Sequence, residues 1–72
     1  MQTLVFNTTT KTVKLYEGKV ESEILFTFEN VPTVREKVGH YEIMQKTNGD
    51  TANSSVPVLR VPISNTNMLI EK

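Results

Sequence analysis

Cysteine and tryptophan are absent from the 72 residues, and glycine and proline number three each beside a single histidine. Without cysteine there is neither a disulfide nor a thiolate metal site, although small domains often depend on such staples. Three isolated glycines make no phosphate-cradling loop. Positive and negative side chains balance, eight against eight, so no net field draws the chain to nucleic acid or to anionic lipid. Apolar runs last only a few residues, which excludes a helical membrane span. The opening MQTLVFNTTTK lacks the basic-then-apolar layout of a signal peptide. These absences lead to the expectation of one small cytoplasmic domain over residues 1–72, with no membrane, cofactor or metal in its chemistry.

Short length bears on stability. Area scaling gives about 7,500 Å² buried on folding for a chain of this mass. Burial then contributes on the order of 110 kcal/mol, and ordering the backbone and side chains costs about the same. A chain with so thin a margin and no cross-link gains from burial against a copy of itself or another protein. A homo-oligomer is therefore expected, a dimer first.

What is present repeats with a period of two. Leu4 and Phe6 share one face of an opening strand, and after the polar Asn7-Thr8-Thr9-Thr10 the alternation resumes with Val13 and Leu15 inward. Ser22 to Glu29 places Ile24, Phe26 and Phe28 on one face, which sets all three phenylalanines inward. His40 to Lys46 puts Tyr41 and Ile43 on one side and His40, Glu42 and Met44 on the other. Asn48-Gly49-Asp50 is a turn signal, and Thr51 to Ser55 continues as a polar loop. Between Val31 and Gly39, Thr33 and Glu36 fit a helical capping box, so a short helical turn near 33–38 competes with a strand. Two valines and brevity favour the strand. The fold class is all-β: five to six short antiparallel strands as a meander, a small barrel or a two-layer sandwich.

The last quarter, SSVPVLRVPISNTNMLIEK, sets a puzzle. Pro57 and Pro62 sit inside an apolar run and differ in parity, so in a regular strand they remove amide donors from both sides. Placing Pro57 at the start and Pro62 at the end, or at a bulge, makes this a border strand protected against unwanted pairing. With Leu59 and Val61 facing the core, Arg60 faces water or a partner.

Chemistry is sparse. His40 and Glu42 share a strand face, an arrangement able to orient an imidazole, but no serine near them forms a nucleophile constellation and no ligand spacing implies a metal. A solvated His–Glu neighbour pair explains them better than catalysis, and the chain is expected not to be an enzyme. Single-stranded nucleic acid needs exposed aromatics beside bases. Tyr16 and Tyr41 with Lys14, Lys37, Lys46 and Arg60 offer a thin version of that surface, so a nucleic-acid-binding barrel stands as an alternative. Protein binding has more support, through apolar residues on both faces of the final strands, with Arg60, His40, Tyr41 and Tyr16 as the partner-binding candidates. A structural subunit of a larger assembly would use the same surface.

The two ends, LVFNTTTKTVKLYEG and VPVLRVPISNTNMLIEK, resemble the small β-rich reading frames of tailed bacteriophages. That resemblance implies a viral protein in the host cytoplasm, an inhibitor or adaptor that binds a host protein stoichiometrically.

Overall fold

The computed structural model describes residues 1–46 and 55–72. Among the described residues seven strands are formed: β1 (Gln2–Asn7), β2 (Thr12–Tyr16), β3 (Ile24–Phe28), β4 (Thr33–Lys37), β5 (His40–Lys46), β6 (Ser55–Pro62) and β7 (Thr66–Glu71). One 3₁₀ turn, Ile63–Asn65, joins the last two. They make two sheets, ordered β3-β2-β1-β7 and β4-β5-β6. All neighbours are antiparallel except β1 and β7, which run parallel. The all-β class therefore holds, with two open sheets rather than a closed barrel.

Local chemistry explains the turns. The Asn7 side-chain oxygen accepts the amides of Thr9 and Thr10, both at 2.9 Å, which folds the β1–β2 link back on itself. Val38 and Gly39 are the whole β4–β5 link, and Gly39 takes φ +86°, a conformation that glycine adopts without penalty. The segment that weighed helix against strand is thus β4, and Gly39 ends a strand rather than a helix. The turn expected at 48–50 and the loop from 51 to 54 lie outside the described residues, and Ser55 already belongs to β6.

Alternation builds the core. Leu4, Phe6, Val13 and Leu15 of the larger sheet meet Ile43 and Val61 of the smaller one, with Val31 of the connecting segment among them. Tyr41, Val34, Leu59 and Phe28 pack around this cluster, half-buried. Two corrections to the periodic reading follow from the edges. Phe26 is inward by register, opposite Leu15, yet remains 49% exposed because β3 is the last strand of its sheet. Ile24 does not share its face: a bulge shifts the register between Leu15 and Tyr16, so Ile24 stands opposite the outward Tyr16 and is exposed.

A second bulge settles the proline puzzle. Ile43 pairs with Leu59 and Met44 with Pro57, leaving Val58 as the extra residue. Beyond it, Pro62 pairs with His40. Both prolines therefore face even-numbered residues of β5. The Ile63 amide donates to the Gly39 carbonyl at 3.1 Å and the Lys46 amide to the Asn30 carbonyl at 2.8 Å. Hydrogen bonding to β6 thus belongs to the odd residues of β5, and even residues address β4. Each proline nitrogen, opposite an even residue, points at the free edge, where no donor is required.

Candidate functional site

The outer face of the smaller sheet is assembled by register. Arg35 of β4 stands opposite Glu42 of β5, and Glu42 opposite Arg60 of β6, so one row across all three strands reads Arg–Glu–Arg. The row below reads Lys37–His40–Pro62. Arg60 Nε donates to Glu42 Oε2 at 3.1 Å. The Glu42 side chain is 10% exposed and that of Arg60 64%, so the glutamate is sunk in the sheet while most of the arginine side chain stays in solvent. An arginine has five N–H donors in a planar fork. The Nε bond to Glu42 occupies one of those donors and ties the fork to the sheet.

The face as a whole is cationic. Arg35, Lys37 and Arg60 share it with the single carboxylate of Glu42, and His40 is half-buried at one end. β6 carries two prolines, and β4 and β5 are joined by a two-residue link. A bound group would meet a flat, preorganised set of donors suited to carboxylates or phosphates.

The four residues singled out from sequence do not converge. Arg60 and His40 share the outer face of the smaller sheet. Tyr41, a partner-binding candidate from sequence, stands opposite Val61 beside the core, where it turns inward, half-buried, away from the face that carries His40. Tyr16 lies on the outer face of the other sheet, where it lines a cleft of about 330 Å³ with Lys14, Val5 and Val20. Arg35 and Glu42 were missed as companions of Arg60. The two-residue Val38-Gly39 link could have fixed Arg35 opposite Glu42, whereas the bulge at Val58 hides the Glu42–Arg60 pairing from any count.

Among the described residues, no group of three or more His, Asp or Glu side chains could hold a metal ion, and no helix is long and apolar enough to cross a membrane. No family model matches the sequence, and neither a curated protein nor a solved structure matches the chain.

Proposed function

We propose that the chain is a non-enzymatic protein-binding module that recognises an acidic segment of its partner on the outer face of the smaller sheet. The observation that carries this reading is the Arg35–Glu42–Arg60 row, in which a buried glutamate holds a mostly exposed arginine side chain ready for a second anion. Carboxylates fit such a fork in two-point contacts, and burying them there needs little rearrangement. The phage resemblance adds that the partner is a host protein and the action a stoichiometric block or bridge, in the host cytoplasm.

Single-stranded nucleic acid is the second reading, since phosphate also suits arginine. It is disfavoured because stacking needs aromatic faces beside the bases, and Tyr41 turns to the core while Tyr16 sits on the opposite sheet. A structural subunit of a larger assembly would show itself in sedimentation as large closed or open particles. The test is capture: Arg60→Glu is expected to abolish retention of the partner from a host lysate while leaving the circular dichroism unchanged. Retention that survives the substitution contradicts the reading. Retained nucleic acid whose affinity falls steeply with salt would favour the alternative.

A further inference from the structure

Two sheets leave four edges, and they are not treated alike. The β6 edge has Pro57 and Pro62 where amides would otherwise point outward. At the β4 edge, Pro32 precedes the strand and Glu36, opposite Tyr41, places a charge on the inner face, a device that discourages strand addition. β3 has no such guard. Ile-Leu-Phe-Thr-Phe contains neither charge nor proline, and Ile24, Leu25 and Phe26 are all exposed. Phe26 and Phe28 stack on one another, centroids 6.1 Å apart and planes 14° from parallel, with one side of the pair open at the sheet's rim. The β7 edge also exposes Leu69 and Ile70, but its other members include Thr66, Asn67 and Glu71.

The backbone says how β3 can be extended. The Glu17 amide donates to the Glu23 carbonyl at 2.9 Å, so odd residues of β2 bond β3. The Thr8 amide donates to the Glu71 carbonyl at 2.9 Å, so even residues of β1 bond β7 and odd ones bond β2. Val5 faces Lys14, and Lys14 faces Thr27. Lys14 therefore spends its backbone groups on β1, and Thr27 turns its own N–H and C=O to the free edge. An added antiparallel strand must bond there.

We propose that a second copy of this chain adds at this edge, β3 against β3 about a two-fold axis through Thr27, forming a continuous eight-stranded sheet. In that register Phe26 of one copy lies opposite Phe28 of the other, and the two stacked pairs merge into a four-ring cluster that covers the exposed rims. Glu29 lies opposite Leu25, so no like charges meet across the ladder. The turn that precedes β3 in one copy then lies beside the end of β3 in the other. There Lys11, Asn30, Pro32 and Lys46 line a cleft of about 250 Å³. The acidic turn bearing Glu17, Glu21 and Glu23 is thus brought to two lysines, twice over by symmetry. Centring the pair on Phe26 instead would bring Glu23 towards Glu29, like charge against like charge.

A single five-residue strand buries less than a standard interface, so a dissociation constant on the order of 10 µM is expected. The experiment is sedimentation equilibrium of the full chain from about 1 to 500 µM, spanning that value. The wild type is expected to pass from monomer to dimer. Thr27→Pro, which removes the donor at the axis, and Phe26→Lys, which charges the cluster, are each expected to remain monomeric with unchanged circular dichroism. Should the proline variant not fold, Phe26→Lys carries the result. Glu23→Lys is expected to weaken the dimer, and combining it with Lys46→Glu to restore it. A monomer throughout overturns the proposal. So does a dimer that ignores the β3 variants but is lost in Leu69→Lys, which would assign the interface to β7.

Discussion

Pro57 and Pro62, of opposite parity in sequence, aim their ring nitrogens at the same free edge of β6. The extra residue Val58 makes this so, by shifting the pairing between Ile43–Leu59 and Met44–Pro57. An edge that lacks two donors is a poor template for another strand, and Arg60 stands between them. Replacing both prolines with valine restores a regular donor row beside Val56, Val58 and Val61. That variant is expected to show new, concentration-dependent association by light scattering with little change in urea midpoint. Unchanged scattering would mean that the prolines do not guard the edge.

The Glu42–Arg60 pair contributes little to stability, because one partner is mostly in water. Exposed ion pairs are worth about 0–1 kcal/mol. A double-mutant cycle on Glu42→Gln and Arg60→Ala, followed by urea unfolding, is expected to give a coupling of roughly 0.5 kcal/mol. A coupling of several kcal/mol would make the row a structural device rather than a binding one.

Thr66 buries its hydroxyl at the start of β7 with no hydrogen-bond partner among the described residues. A buried, unpaired hydroxyl costs about 1–3 kcal/mol. Thr66→Val keeps the shape and removes the polar atom, so it is expected to stabilise the fold by about 1 kcal/mol, read as a higher urea midpoint. Destabilisation would show that the hydroxyl is bonded in solution.

Gly39 and Gly18 separate conformational need from space. An alanine at Gly39 meets nothing within 4 Å but must hold φ +86°. It is expected to lose about 1–2 kcal/mol. At Gly18 the nearest atom to an added Cβ is Ser22 Oγ at 3.6 Å, an ordinary contact, and alanine is expected to change stability by less than ~0.5 kcal/mol. Equal effects in thermal melts would contradict the distinction.

Strand identities and the inward faces of β1, β2 and β5 were legible because side-chain alternation survives wherever pairing is regular. Arg60 facing away from Leu59 and Val61 was legible for the same reason. Two bulges broke the rest. At β3 the shift turned Ile24 out, and at β6 it reconciled prolines that no regular strand could hold. Phe26 was misjudged for a different cause: inward direction guarantees burial only where the facing sheet extends as far as the edge. The parallel β1–β7 pair left no mark either, since the pairing of a chain's two ends depends on how the sheets stack and not on any local pattern. The site was half legible. Arg60 stood out by parity, but its row with Glu42 and Arg35 exists only once the registers are known.

The proposed place of recognition is the cationic outer face of the smaller sheet. Its most direct measurement is a nitrogen–proton chemical-shift titration of the labelled chain with a glutamate-rich peptide. Shifts are expected to concentrate at Arg35, Lys37, His40, Glu42 and Arg60, and to vanish in Arg60→Glu. Shifts confined to the larger sheet, or none at millimolar peptide, would contradict it.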